Sequence, residues 1–111
     1  MKSQAAVAAL SALANEHRLA IFRLLVRAGP EGQPAGAIAE TLELPASSLS
    51  FHLAHLNRAG LIEQRRESRS LIYSADFTAM NGLVGFLTEN CCGGASCAPA
   101  AASASKKRRA S

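Results

Sequence analysis

The chain has 111 residues, 49% hydrophobic and 18% charged, enough for one small domain with a single core and too little for a two-domain enzyme. Twelve lysines and arginines against eight carboxylates give a formal charge of +4, the sign expected of a partner for phosphate. Four of those cations are Lys106, Lys107, Arg108 and Arg109, so residues 1–105 carry eight of each sign and are neutral overall.

In chain order, the Ala- and Leu-rich stretch Gln4 to Ala14, with Val7, Leu10 and Leu13 three apart, predicts a short helix whose small side chains let a neighbour approach closely. Asn15 is placed to cap a second helix from Glu16. Leu19, Phe22, Leu25 and Val26 line its inner face, Arg18, Arg23 and Arg27 stay in water, and Gly29-Pro30 ends it. Glu31 to Gly36 reads as a loop, and Ala35 to Leu42 as a third, short helix with Ile38 and Leu42 inward. Pro45 fits the first turn of a fourth helix in which Leu49, Leu53 and Leu56 form the inner stripe and Gly60 closes the end. A step of 100° per residue puts Ser47, Phe51, Ala54 and Arg58 on the opposite side, flanked by Ser48 and His55. An outward phenylalanine is unusual on a face that meets only solvent.

Leu61-Ile62 and Leu71-Ile72-Tyr73 bracket the polar run Glu63 to Ser70, the pattern of a two-stranded ribbon with Arg65, Arg66 and Arg69 crowding its tip. Asp76 then caps a last helix with Phe77, Met80, Val84 and Leu87 on one stripe, continued by Cys91 and broken by Gly93-Gly94. The remainder, Ala98 to Ser111, is Ala/Ser-rich with a basic cluster and is expected to be disordered. The division is thus a folded domain over residues 1–92 and a flexible tail, 93–111, that includes Cys97.

Several classes are excluded by what is missing. No stretch approaches the roughly 20 apolar residues of a membrane span, and no secretory leader is visible, so the expectation is a cytoplasmic protein with no membrane partner. With no Trp, one Tyr and four Phe, stacking platforms for unpaired bases are scarce. No anion-cradling loop opens a helix beside a cysteine, so a cysteine-based enzyme is disfavoured and no organic cofactor is expected.

A short helix, a turn, a helix with small polar residues on its N-terminal half and then an arginine-tipped ribbon is the element order of a winged helix-turn-helix: about five helices plus a wing, mainly α with a small β-hairpin. Such a chain reads double-stranded operator DNA. Ser47, Ser48, Phe51 and His52 are the candidates for the major groove, with Phe51 able to cover a thymine methyl, and Arg65, Arg66 and Arg69 the candidates for phosphate. His52, about 60° off the leucine stripe, has a second reading as a boundary residue that braces the helix.

The run from Leu44 to Ile62, LPASSLSFHLAHLNRAGLI, followed by Arg65-Arg66 and Tyr73, resembles the recognition region and wing of the ArsR/SmtB family of bacterial winged-helix metalloregulators. The resemblance spans about residues 5–97 and extends to the branch whose last helix ends like Phe86 to Gly94, FLTENCCGG. It implies a homodimeric repressor that releases operator DNA when a metal or metalloid binds. Its first and last helices would form the dimer interface, here through Val7, Leu10, Met80, Val84 and Leu87.

Cys91, Cys92 and Cys97 lie within seven residues and cannot staple distant parts of a fold, and no histidine follows His55. A closed tetrahedral zinc site would need a further ligand such as Glu89, water or the other subunit. Three soft thiolates suit a trivalent centre whose lone pair fills the remaining position, so arsenite or antimonite is the expected inducing ligand. Cysteines that many family members carry before the recognition helix are absent, the matching positions being Pro34 and Gly36. The alternatives are a repressor switched by thiol oxidation or persulfide, or one that answers another soft metal such as Cd(II) or Pb(II).

Overall fold

The second helix is the hub around which the other elements are laid. In the computed structural model, which describes residues 1–94, α1 spans Ser3–Leu13, α2 Glu16–Ala28, α3 Ala35–Leu42, α4 Ala46–Arg58 and α5 Phe77–Thr88. Strands β1 (Gln33–Pro34), β2 (Ile62–Glu67) and β3 (Ser70–Ala75) form one antiparallel sheet in the order β1-β3-β2. Helix α2 packs against α1, α3, α4 and β3, so it touches both the second helix of the helix-turn-helix and the wing. This is the mainly α, winged helix-turn-helix architecture expected from the sequence.

Local chemistry accounts for most boundaries. The Asn15 carboxamide oxygen accepts from the backbone N–H of His17 and Arg18 at 3.0 Å, and the Asp76 carboxylate from that of Ala79 at 3.0 Å, satisfying donors that a helix start leaves orphaned. Arg18 Nε donates to the Ala12 carbonyl at 2.7 Å and ties α2 back to α1. Between α3 and α4, Glu43 takes a left-handed conformation (φ 55°, ψ 47°), and its N–H bonds to carbonyls of the last α3 turn. Pro45 stands at the cap of α4, one position outside the first turn where it was expected.

The core is built from Ile21, Phe22 and Leu25 of α2, Ile38, the α4 stripe Leu49, Leu53 and Leu56, then Leu61, Ile62, Ala75 and Leu83. Each fully buried Ile or Leu contributes about 1.5–3 kcal/mol relative to exposure. The inner face of α1 consists of Ala6, Ala9 and Ala12, all but fully buried, and it is their lack of bulk that lets α1 lie close on α2 and α4. Leu19 differs from its expected inward placement: it is 42% exposed, and Ile21 takes the buried position.

Two further departures concern backbone. Gln33–Pro34, read as loop, is a two-residue strand opposite Tyr73 and Ile72. It depends on Gly32, whose φ is +71° and at which a Cβ would overlap the Tyr73 carbonyl oxygen. Gly32→Ala is therefore expected to destabilise the domain by roughly 2 kcal/mol or more, seen as a lower midpoint in urea unfolding. Helix α5 stops at Thr88, before Gly93-Gly94 and before Cys91 can join the stripe. The Thr88 hydroxyl donates back to the Val84 carbonyl at 2.9 Å, and Asn90 turns left-handed at φ 57°. Among the described residues no helix is long and apolar enough to cross a membrane.

Candidate nucleic-acid interface and thiol segment

The N-terminus of α4 is where backbone and side chains both turn outward. No side chain caps it, so the first N–H groups and the positive end of the helix dipole are available to a phosphate or base acceptor. Ser47 and Phe51 are exposed, Phe51 by 62%, and Ser48 is half-buried. From Leu44 to Ile62 there is no carboxylate to repel DNA.

His52 is placed apart from these three. It is 9% exposed, its ring lies 5.5 Å from that of His17 and edge-on to Phe51 at 5.6 Å, and its Nδ1 is buried with no hydrogen-bond partner among the described residues. It thus stands where a brace between α2 and α4 would stand. Burial, then the charges of Arg18, His17 and His55, hold its pKa below the ordinary 6.5. A histidine with a lowered folded pKa keeps its stabilising effect above the unfolded value and loses it as pH falls through the folded one. The thermal midpoint of the DNA-free protein should therefore fall as pH drops below about 6.5, and His52→Gln should flatten that dependence. His55 is lowered in the same sense by desolvation, Arg18 and Arg58.

The wing arginines separate into two kinds. Arg65 Nη2 donates to the Glu31 carbonyl at 2.7 Å, Nη1 to the Pro30 carbonyl at 3.4 Å, and Nε pairs with Glu67 at 2.7 Å. Both partners of that ion pair are exposed, so the charge pairing itself is worth little. What Arg65 supplies is a fork that fastens the wing to the turn after α2. Arg66 and Arg69 are exposed and make no ion pair or hydrogen bond among the described residues. Strand alternation puts Arg66 on the face of Gln64. That face meets α4 in a cleft of about 320 Å³ lined by Ser50, Ala54, Asn57, Arg58, Gln64 and Tyr73. The cleft adds Asn57, Arg58, Gln64 and Tyr73 to the DNA-facing candidates. The 100° step had already turned Arg58 outward, whereas Gln64 and Tyr73 are joined to α4 only by the tertiary fold.

The residues expected at a dimer interface lie on α1 and α5, two helices that touch. Val7 is 64%, Leu10 42%, Val84 54% and Leu87 58% exposed, and Met80 is half-buried. Cys91 and Cys92 follow α5 in a short turn, Cys91–Gly94, with Cys92 at φ 58° and Gly93 at φ 67°. Cys91 is half-buried and Cys92 exposed. Cys97 and the cluster Lys106 to Arg109 lie outside the described residues, whereas the proposed start of the tail, at Gly93, falls within the Cys91–Gly94 turn. Among the described residues no group of three His, Cys, Asp or Glu side chains could hold a metal ion.

The helix-turn-helix part of the chain is independently recognisable: a helix-turn-helix domain family matches residues 13–65. The transcriptional activator HlyU of Vibrio cholerae is 36% identical over 85 residues, covering 77% of this chain and 76% of its own. The structure of reduced HlyU superposes with a TM-score of 0.64 at 36% identity, over 81% of this chain and 92% of HlyU. An ArsR-like regulator from Rhodococcus sp. RHA1 gives 0.68 at 26% identity over 76% of each chain. The homodimeric winged helix-turn-helix DNA-binding domain of Mb0332 from Mycobacterium bovis gives 0.62 at 28% identity, over 78% of this chain and 81% of that domain. HlyU and the Rhodococcus protein are named as transcriptional regulators and Mb0332 as a possible one, and with the winged helix-turn-helix fold in place the chain belongs to the ArsR/SmtB family of winged-helix transcriptional regulators.

Proposed function

We propose that the chain is a repressor that binds operator DNA as a homodimer and releases it when arsenite or antimonite is captured by Cys91, Cys92 and Cys97. The observation that carries this reading is the turn after α5. Adjacent residues on a helix diverge by about 100°, which would hold the Cys91 and Cys92 thiols apart. Here the helix has ended at Thr88, and the left-handed residues Asn90, Cys92 and Gly93 curl the chain where the two thiols sit. The donor set also fits, since soft thiolates with no histidine after His55 favour a thiophilic trivalent ion over a closed zinc site. The third ligand, Cys97, is five residues beyond Cys92 and within easy reach of it.

Ser47, Ser48 and Phe51 read base edges in the major groove, Arg66 and Arg69 hold phosphate, and His52 and Arg65 keep helix and wing in position. Helices α1 and α5 of two copies pair through Val7, Leu10, Met80, Val84 and Leu87. Capture of the ion reshapes the end of α5 and moves the two reading heads off register. A coupling of about 1–3 kcal/mol between ligand and DNA is sufficient, corresponding to a loss of roughly 5- to 150-fold in affinity.

A second reading is thiol oxidation or persulfide formation, favoured by the fact that a relative's structure is described as its reduced form. Fluorescence anisotropy of a labelled operator, selected from random duplexes with the full-length protein, separates the two. Release by arsenite and antimonite, with Cd(II), Pb(II) and persulfide weaker, supports the metalloid reading. Release by persulfide or peroxide with indifference to arsenite would replace it.

A further inference from the structure

The chain has three histidines, and helices α2 and α4 bring all of them to one seam. His17 of α2 meets His52 of α4 with ring centroids 5.5 Å apart, and His55, half-buried, follows one turn along α4. Arg18 is held in the same seam by its bond to the Ala12 carbonyl at 2.7 Å. The charges that act on His52 are those of Arg18, His17 and His55, with no carboxylate among them. Helix α4 also packs on α1, α3 and β2. Of these, α1 has no ionisable side chain, and Glu40 of α3 and Glu63, Arg65, Arg66 and Glu67 of β2 are all exposed. Glu16, beside His17 in sequence, is exposed and in no ion pair among the described residues.

A proton on His52 is therefore opposed in three ways. It places charge on a ring that is only 9% exposed, and it surrounds that charge with groups of the same sign. It also makes the enclosed Nδ1, which has no hydrogen-bond partner among the described residues, an N–H with nothing to donate to. Relief comes when the ring leaves the seam for water, and α4 has to shift to let it out.

Resting on the reading of α4 as the helix that contacts DNA, we propose that His52 is a proton-sensing site, and that a proton there competes with operator DNA and gives the chain a second input besides its thiols. The link is short. Phe51 precedes His52 and lies edge-on to it at 5.6 Å, and Ser48 stands one turn before it on the same helix. DNA that holds Ser48 and Phe51 keeps α4 seated and His52 enclosed, whereas the free protein can yield at the seam. Operator thus selects the neutral ring, and by reciprocity acid loosens operator. One proton displaced per subunit sets the limit, about tenfold in affinity per pH unit for each subunit.

Anisotropy of a labelled operator with reduced, full-length protein, without arsenite and at constant ionic strength, tests this. Between about pH 7.5 and about pH 5.5, the range in which histidine takes up its proton, the parent should lose about 3- to 10-fold in operator affinity. His52→Gln should stay within about twofold of its own neutral-pH value, and a scrambled duplex should show no fall with the parent. Circular dichroism at both ends of the range confirms folding. Should His52→Gln not fold, NMR of the His52 Cε1–H in the parent replaces it: a pKa lower on operator than in the free protein is expected, and one equal or higher would overturn the proposal. Operator affinity that is flat or rises with acid, a fall that His52→Gln retains, or a fall shared by the scrambled duplex would likewise overturn the proton site while leaving α4 the DNA-contacting helix. A parent that binds no operator at neutral pH removes that reading of α4, and the proton site with it.

Discussion

Cys91→Ser, Cys92→Ser and Cys97→Ser proteins are each expected to bind operator within about twofold of the parent and to remain bound at arsenite concentrations that release the parent. Serine is nearly isosteric with cysteine, and Cys91 and Cys92 lie neither on the exposed face of α4 nor in the buried core, so DNA binding has no reason to change. The response has every reason to. A trivalent arsenic held by three thiolates loses one of its three strong bonds when a thiol becomes a hydroxyl, and a neutral hydroxyl is a hard, weak donor to it. Arsenite should then need to be raised by at least about 100-fold before any release appears, equivalent to roughly 2.7 kcal/mol of lost binding. An operator titration against each variant reads both numbers. Equal release by Cys91→Ser and by the parent would remove the thiol cluster from the switch.

The wing gives the second large effect, and its arginines should divide by mechanism rather than by size of loss. Arg66→Ala and Arg69→Ala are expected to weaken operator binding by about 3- to 10-fold each and to lower the slope of log K against log salt by close to one unit apiece. Arg65→Ala should cost as much affinity or more while leaving that slope unchanged, because Arg65 spends its donors on the Pro30 and Glu31 carbonyls and on Glu67. Arg65→Lys should not rescue it, since an ammonium cannot reproduce a planar fork across two carbonyls and a carboxylate. Affinity measured over a series of salt concentrations for the four proteins decides. A reduced slope in Arg65→Ala would make Arg65 a phosphate contact after all.

Much of this arrangement is visible in local sequence because local physics dictates it. Asn15 and Asp76 are short acceptors standing before helical runs, and both cap the helices they precede. The Leu49, Leu53 and Leu56 stripe fixes which side of α4 faces inward, and that leaves Ser47 and Phe51 outside. What escaped the sequence depends on contacts between distant segments. His17 and His52 are 35 positions apart, and nothing local says that their rings meet or that Nδ1 is enclosed. Arg65 sits in a charged tip that reads as a phosphate hook, and only the turn at Pro30 and Glu31 converts it into a fastener. Strand β1 is two residues long and ends in a proline, so it carries no alternation to detect and exists because β3 lies beside it. The end of α5 was displaced for a different, local reason. Gly93-Gly94 is the stronger breaker by composition, but back-bonding by Thr88 and the left-handed Asn90 act earlier.

The neutral body found at the outset gains meaning from where its charges fall. Helix α4 and its flanks carry no carboxylate from Leu44 to Ile62, Arg66 and Arg69 make no ion pair on the wing among the described residues, and the acidic residue nearest the thiols in sequence is Glu89. Charge is thus arranged by element, with exposed cations on the wing and a nearly uncharged α5.

The central claim is that ion capture at the thiols and loss of DNA are one event. Arsenite bound and operator released should therefore be read in the same titration of reduced, full-length protein, the first by loss of titratable thiols and the second by anisotropy. The two curves are expected to break together at one arsenic per protomer with three thiols consumed. Operator still bound after all three thiols are occupied, or released while they remain free, would contradict it.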